Sequence, residues 1–184
     1  MAADKGLVEG DAYVLARGGG SAALARRLDL KLPIMPVKGY SATLARDRSN
    51  TPLSTPVIDA ELLTCTVPMG GRIRMAGTAE FAGEDRRLDE TRAENVLNRG
   101  LGAFPEMRRN LRPEDVSYWT GLRPVTPDGR PILGGTPYGN LYLNTGHGPG
   151  GWGLSCATSK AVAALIDGET PEVDIDDLHH SRFH

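Results

Sequence analysis

Short apolar runs separated by glycine and proline dominate the pattern of this chain. Residues 12–16 form one such run, bounded by Asp11 and by the glycines 18–20, and this pattern is typical of a fully buried strand in a parallel sheet. Ser21 is placed to cap a short helix over residues 21–28. A strand, a glycine turn and a helix start form half of a nucleotide-binding unit, although a simple tight turn explains the glycines equally well.

The remaining pattern predicts more strands and two longer helices. Alternation of polar and apolar residues at 72–75 indicates a half-buried antiparallel strand. A helix is predicted over 88–104, with Leu88, Val96, Leu97 and Leu101 as its apolar residues. A second helix is predicted over 154–166, ending at Gly168. Short runs at 39–44 and 61–67 are punctuated by proline and glycine, and further strands are predicted at 116–122 and 140–144. The fold class is therefore α/β or α+β.

Composition narrows the class of protein. The chain has 184 residues, a net charge of −2, 40% hydrophobic and 24% charged residues, so it is long and apolar enough to fold. A pI of about 6.1 argues against a nucleic-acid partner. Two cysteines, Cys65 and Cys156, are too few for a disulfide framework. Glycine and proline make up about a fifth of the chain, with 23 and 13 residues, which predicts many turns.

The sequence shows neither a membrane span nor a signal peptide. No apolar stretch approaches the ~18 residues that a span needs, and the N-terminus lacks a basic start and an apolar run. We therefore expect a cytoplasmic protein, and a peripheral contact with the inner membrane stays open.

The segment 143–154 carries the strongest functional signal. A short strand leads into a glycine-dense turn, and the turn opens a helix of small residues. Backbone N–H groups in such a turn and at a helix N-terminus suit a phosphate or an electron-rich ring edge. The turn lacks the Walker lysine, and it is not a clean dinucleotide fingerprint because no acidic ribose partner follows it. A strand-to-helix connection that needs positive φ is the alternative.

Arg123 is the second candidate, at the end of a predicted strand between Leu122 and Pro124. A guanidinium matches a carboxylate with two parallel hydrogen bonds. Burying it is costly without an anionic partner. On the residues alone, a substrate carboxylate and a structural ion pair remain equal interpretations.

Other chemistry has little support. His147 lies in the glycine turn and could contact a ligand, whereas His179, His180 and His184 lie in a polar tail and are expected to be exposed. No spacing of histidine and cysteine predicts a metal site. Cys156 is interpreted as a small core residue rather than a nucleophile, so we predict no metal ligand and no catalytic side chain.

Three motifs together resemble a known family. They are Pro36-Val-Lys-Gly-Tyr40, then Trp119-Thr-Gly-Leu-Arg-Pro-Val-Thr-Pro-Asp-Gly129, then Leu141-Tyr-Leu-Asn-Thr-Gly-His-Gly148 with Gly151-Trp152. In this order they are similar to the C-terminal half of the FAD-dependent D-amino acid oxidoreductases, the D-amino acid oxidase-like (DAO) family, and most of all to its D-amino acid dehydrogenase (small subunit) branch. The resemblance covers about residues 11–184.

The resemblance implies the C-terminal part of a Rossmann-like FAD domain joined to a mixed-sheet substrate or cap domain. Residues 1–32 would supply a late strand and helix of the FAD domain, 33–120 the substrate domain, and 121–184 the return to the FAD domain. Arg123 would bind the substrate carboxylate, with Tyr40 close to the pocket. The implied FAD contacts are Ala16, Gly18, Thr145, Gly146, His147, Gly148, Gly150, Gly151 and Trp152.

The implied activity is oxidative deamination of a D-amino acid to a 2-oxo acid and ammonia, by hydride transfer from Cα to the flavin. Electrons would pass to a quinone-linked acceptor. A glycine- or sarcosine-type amine oxidase is the nearest alternative, and a non-catalytic remnant without stable FAD binding is another.

The family's opening Gly-x-Gly-x-x-Gly unit is not found in this sequence, and Arg17, Gly19 and Gly20 replace residues that are usually apolar or bulkier. We therefore expect this chain to be a fragment that binds FAD weakly or not at all. We also expect it to associate with itself, or with an N-terminal half of the FAD domain.

Overall fold

The computed structural model describes residues 2–3, 6–45, 53–109 and 111–183. The described chain divides into two compact units. The first joins Met1–Met35 to Arg123–His184, and the second is Pro36–Leu122. Helices and strands alternate in both, which confirms the predicted mixed α/β class.

The described elements begin with three short strands, and the longest helix comes last. In chain order they are β1 (Ala2–Ala3), β2 (Gly6–Leu7), β3 (Tyr13–Leu15), α1 (Ser21–Ala25), β4 (Met35–Ala45), β5 (Val57–Asp59), β6 (Thr64–Met69), β7 (Arg72–Glu80), α2 (Glu90–Ala103), α3 (Pro105–Arg108), β8 (Val116–Val125), β9 (Ile132–Gly135), β10 (Leu141–Thr145) and α4 (Gly151–Ile166). No described helix has the length and apolar character that crossing a membrane requires.

The first unit is built on a three-stranded sheet in the order β3-β10-β9. Strand β10 runs parallel to β3 and antiparallel to β9. Side chains alternate across a strand, so Ile132 joins the core with Leu15 and Ala25 of the β3–α1 segment, whereas Leu133 packs with Val162 of α4. The sheet therefore has a helix packed on each face.

The second unit is a five-stranded sheet in the order β5-β6-β7-β4-β8. Strands β5, β6, β7 and β4 pair antiparallel in turn. The predicted alternation in β7 is confirmed, because Ile73 and Met75 are fully buried whereas Arg72 is exposed. Helix α2 packs on that apolar face, where a Cβ on Gly100 would overlap the Met75 sulfur.

Helix α2 begins directly after its N-cap residue, Asp89. The Asp89 side chain accepts a hydrogen bond from the Arg92 backbone N–H (3.0 Å), which satisfies one of the free donors of the first turn. The helix therefore begins at Glu90, two residues later than the predicted 88, and Leu88 is left outside it and 39% exposed. Val96 and Leu101 are buried as expected.

A charged cluster lies inside the second unit. The Lys38 ammonium is almost completely buried, 3.6 Å from Asp85 and 4.0 Å from Glu80. Glu80 accepts a 2.6 Å hydrogen bond from the Tyr40 hydroxyl and lies 3.4 Å from Arg92. Mutual pairing of this kind offsets the cost of removing the charges from water.

Two predictions at the start of the chain are wrong. Residues 12–16 do not form a fully buried strand: β3 is shorter, only Leu15 is buried, and Val14 is 44% exposed. Ser21 is not the helix cap, because Gly20 holds that position and Ser21 is the first helical residue. The Ser21 hydroxyl instead accepts from Arg17 N (3.1 Å) and from Thr145 Oγ1 (2.8 Å), so it joins α1 to β10.

The tail is also more ordered than predicted. His180 is 8% exposed, and His179 Nε2 lies 3.1 Å from the Gly135 carbonyl oxygen of β9. Arg182 donates two hydrogen bonds to the Asp128 carboxylate, at 2.8 and 3.2 Å, and one to the Arg130 carbonyl oxygen. The expectation of exposed tail histidines is therefore wrong for these two residues, and His184 lies outside the described residues.

Candidate functional site: a glycine-lined cleft at the start of helix α4

A cleft of about 260 Å³ opens in the first unit where β3 and β10 end and α4 begins. The carboxyl ends of parallel strands meet at this edge, where open α/β sheets bind their ligands. Six of the nine predicted FAD contacts line it. The lining residues are Ala16, Gly18, Pro124, Asn144, Thr145, His147, Gly148, Gly151, Ser155, Thr158 and Ser159.

The predicted contacts Gly146, Gly150 and Trp152 are not part of that lining, and their roles stay predictions. Gly146 has φ of +74° and turns the chain away from β10. Gly150 is the N-cap of α4, and the Trp152 side chain is 95% exposed. The helix begins at Gly151, three residues before the predicted start, so its first turn belongs to the glycine segment.

The backbone at the cleft offers hydrogen-bond donors. The first N–H groups of a helix have no intrahelical acceptor, and no side chain caps α4. Gly148, with φ of +55°, takes the left-handed conformation that lets the turn approach a ligand closely. This end of α4 therefore favours electron-rich groups.

The side chains at the cleft carry no formal charge. None of the eleven described lining residues is an aspartate, glutamate, lysine or arginine. The Thr145 hydroxyl donates a hydrogen bond to Ser21 Oγ, so its proton is not available to a ligand. Burial lowers the pKa of His147, so its imidazole is held neutral at neutral pH.

One residue that lines the cleft has a buried polar atom without a partner among the described residues. Asn144 Oδ1 is buried and has no hydrogen-bond partner among the described residues. An unpaired buried acceptor costs free energy, so the position suits a ligand that donates a hydrogen bond. A flavin dinucleotide carries both ring N–H and hydroxyl donors, so the cleft fits part of such a cofactor. Its volume is below the ~300–1,000 Å³ of whole-ligand pockets.

Sequence reasoning missed five lining residues. Ser155, Thr158 and Ser159 share one face of α4 with Gly151, at spacings of four, seven and eight residues. The predicted helix over 154–166 already contained these three residues, but only its observed start at Gly151 joins their face to the glycine turn. Asn144 and Pro124 gave no separate signal in the sequence.

The two predicted substrate residues lie elsewhere. Tyr40 is in β4 of the second unit, 1% exposed, and burial followed by the Glu80 hydrogen bond raises the pKa of its hydroxyl. Arg123 is in β8, partly buried, at the first position of the returning chain of the first unit. Their roles toward a substrate stay predictions.

The interpretation of Cys156 as a small core residue is wrong. Cys156 is exposed on α4, so it is not a core residue of the described chain. Among the residues that the structure describes, no group of three or more histidine, cysteine, aspartate or glutamate side chains could hold a metal ion.

Comparison with known proteins decides the family. Residues 2–165 match the family described as FAD dependent oxidoreductase (DAO). The chain belongs to this family. It is also 44% identical over 182 residues to a D-amino acid dehydrogenase of Methylobacterium radiotolerans, and 41% identical over 179 residues to one of Bradyrhizobium diazoefficiens. These matches cover 98% and 97% of this chain but 42% of each relative, so this DAO-family chain spans about two-fifths of their length.

Two solved structures of other enzymes have the same fold. Glycine oxidase from Geobacillus kaustophilus superposes with a TM-score of 0.87 and 30% identity, covering 97% of this chain and 47% of that one. L-proline dehydrogenase from P. horikoshii gives a TM-score of 0.79 at 21% identity, with 98% and 49% covered. At that identity the second likeness shows the fold alone.

Proposed function

We propose that this chain is part of an FAD-dependent enzyme that oxidatively deaminates D-amino acids to 2-oxo acids and ammonia. The observation that carries the proposal is the neutral, glycine-lined cleft at the N-terminus of α4, in a chain that belongs to the FAD dependent oxidoreductase family. The D-amino acid substrate is supported by the two dehydrogenases that are 41–44% identical.

In this proposal the first unit holds the flavin. Backbone N–H groups of Gly148 and Gly151 and the Asn144 side-chain oxygen would make the polar contacts of the cleft. When bound, the flavin supplies an acceptor for the hydride removed from Cα. We assign residues 1–32 and 121–184 to the FAD domain and 33–120 to the substrate domain.

Arg123 is proposed to bind the substrate carboxylate, with Tyr40 near the pocket. A guanidinium makes two parallel hydrogen bonds to a carboxylate and so fixes its orientation as well as its position. Orientation of this kind supplies several kcal/mol toward a barrier. A glycine- or sarcosine-type activity has weaker support, because the glycine oxidase is 30% identical and the D-amino acid dehydrogenases exceed 40%.

The acceptor of the electrons is proposed to be linked to a quinone, on the resemblance to dehydrogenases. An N-terminal half of the FAD domain, or a second copy of this chain, is proposed as the partner. A cytoplasmic location with peripheral contact at the inner membrane stays a prediction.

The substitution Arg123→Lys tests the substrate site. Lysine keeps the charge but loses the planar fork, so kcat/KM for D-alanine should fall by roughly 30- to 1000-fold in the flavin-loaded enzyme, on the order of 2–4 kcal/mol. Flavin content should stay unchanged, because Arg123 is not assigned to the cofactor. The measurement is steady-state kinetics normalised to bound flavin, beside the melting temperature.

A structural ion pair at Arg123 gives the opposite pattern. The melting temperature and the flavin content would fall, whereas kcat/KM per bound flavin would survive. That outcome would mean that a residue other than Arg123 binds the substrate carboxylate.

A further inference from the structure

His147 and Thr158 form a hydrogen-bonded pair across the start of α4, and both line the cleft. His147 Nε2 lies 3.2 Å from Thr158 Oγ1, eleven residues further along the chain. Thr158 is 6% exposed and faces the cleft from the second turn of the helix. The contact fastens the glycine turn to α4.

The backbone around His147 brings the ring to this contact. Gly146 and Gly148 on either side have φ of +74° and +55°, conformations that glycine adopts without strain. A Cβ on Gly151 would lie 3.3 Å from His147 Cβ, so the first residue of α4 must be small for the imidazole to lie over the helix start. Three glycines therefore place one side chain.

The Thr158 hydroxyl has a single proton, and its position determines which imidazole nitrogen is protonated. Thr158 Oγ1 lies 3.0 Å from the Leu154 carbonyl oxygen, the usual acceptor four residues earlier in a helix. If that carbonyl takes the proton, Oγ1 can only accept from His147, and Nε2 must carry the ring proton.

We propose that Thr158 is a positioning residue that holds His147 as the Nε2–H tautomer, so that Nδ1 accepts a hydrogen bond from a hydroxyl or N–H group of the flavin dinucleotide in the cleft. The identity of the ligand in this inference rests on the proposed function, whereas the assignment of the His147 tautomer does not. His147 Nδ1 makes no hydrogen bond to a described residue, and in this tautomer it keeps its lone pair.

The surroundings favour the neutral ring that the proposal needs. Burial lowers the pKa of His147. The N-terminal end of α4 carries a partial positive charge, which opposes protonation of a nearby imidazole. In the neutral Nε2–H ring, Nδ1 then adds an acceptor to the cleft beside the donors of the helix backbone.

The tautomer is measured by long-range ¹H–¹⁵N NMR of histidine-labelled chain without added flavin, with His147→Gln assigning the signals. We expect an unprotonated Nδ1 and a protonated Nε2 in the wild type. Thr158→Val keeps the shape without the hydroxyl and should give a mixture of tautomers, whereas Thr158→Ser should restore the wild-type pattern. A protonated Nδ1 in the wild type, or an unchanged tautomer in Thr158→Val, would overturn the proposal.

The role of His147 Nδ1 in binding is tested by measuring the FAD affinity of the same variants, with circular dichroism to establish that each is folded. We expect Thr158→Val to weaken FAD binding by about 5- to 10-fold and Thr158→Ser to restore it, since one hydrogen bond contributes about 1 kcal/mol. Equal affinities in all three would overturn the role of Nδ1. If the wild type bound no FAD, the proposed role of Nδ1 would fail, while the tautomer result would stand and the proposed function would be decided by the Arg123→Lys kinetics in the flavin-loaded enzyme.

Discussion

Both the backbone conformation and the packing around position 146 require glycine. Its φ is +74°, and a Cβ would lie 2.8 Å from Thr126 Cγ2. Gly146→Ala should therefore lower the free energy of unfolding by about 1–3 kcal/mol, through left-handed strain and overpacking. Urea denaturation measures the change.

Gly153→Ala is the matched control for that substitution. Gly153 lies in α4, and a Cβ there meets nothing within 4 Å. Alanine should leave stability unchanged or raise it by up to ~1 kcal/mol, because it is the better helix former. Equal losses in both variants would contradict the account of Gly146.

The lowered pKa of His147 makes stability depend on pH. Burial disfavours the charged ring in the folded chain, so the unfolded chain binds the proton more readily. The contribution of His147 to the free energy of unfolding is therefore full above about pH 6.5 and is lost as the pH falls through the folded pKa.

Urea denaturation of wild type and His147→Gln between about pH 7.5 and pH 5 tests this sign. The wild type should lose more of its free energy of unfolding on acidification than the variant. Identical losses would mean that His147 titrates as it does in the unfolded chain.

At the scale of single residues, the sequence predicted the glycine turn with His147, but not the amide and hydroxyl side chains that also line the cleft. His147 and the glycines stood out because they cluster in one turn. Thr158 and Ser155 look like ordinary helical residues until the start of α4 is known. Asn144 matters only because burial leaves its oxygen unpaired, which a sequence pattern does not reveal.

At the scale of elements, the C-terminal tail is fastened to the turn between β8 and β9. The Arg182 and Asp128 side chains are 12% and 28% exposed, and the pair holds the pKa of Asp128 well below its ordinary value, mainly through the hydrogen bond from Arg182. Asp128→Asn should therefore lower the free energy of unfolding by about 1–2 kcal/mol at neutral pH. Because the folded pKa is depressed, this contribution is lost as the pH falls below about 4.

Thermal or urea denaturation of Asp128→Asn measures that loss, and Glu172→Gln provides the control. Glu172 pairs with Lys160 at 2.6 Å, but both side chains are about 70% exposed. An exposed pair contributes about 0–1 kcal/mol. A larger loss in Glu172→Gln than in Asp128→Asn would contradict the view that the tail is part of the folded unit.

Elements with a strong local signal were predicted closely. The alternation in β7 and the apolar face of α2 settled their type, and only the ends moved by a few residues. The tail was missed because a hydrogen bond between residues 128 and 182 is a long-range contact. Ser21 was assigned to a cap because its partner, Thr145, is 124 residues away.

At the scale of the whole molecule, the chain leaves the first unit, forms the second, and then returns to the first. The first unit is made from both ends of the sequence, and the second is inserted between them. Motif order and the resemblance gave the family, which the comparisons confirm over residues 2–165. The chain spans 42% of the length of the D-amino acid dehydrogenase of Methylobacterium radiotolerans.

The central claim is that the cleft at the start of α4 binds a flavin dinucleotide. The most direct measurement is a titration of the chain with FAD, followed by the amide signals of Gly148 and Gly151 in ¹H–¹⁵N spectra. We expect weak, saturable binding, with the largest shifts at the residues that line the cleft and smaller shifts in Gly148→Val. Shifts elsewhere in the chain, no shifts at all, or an undiminished response in Gly148→Val would contradict the claim.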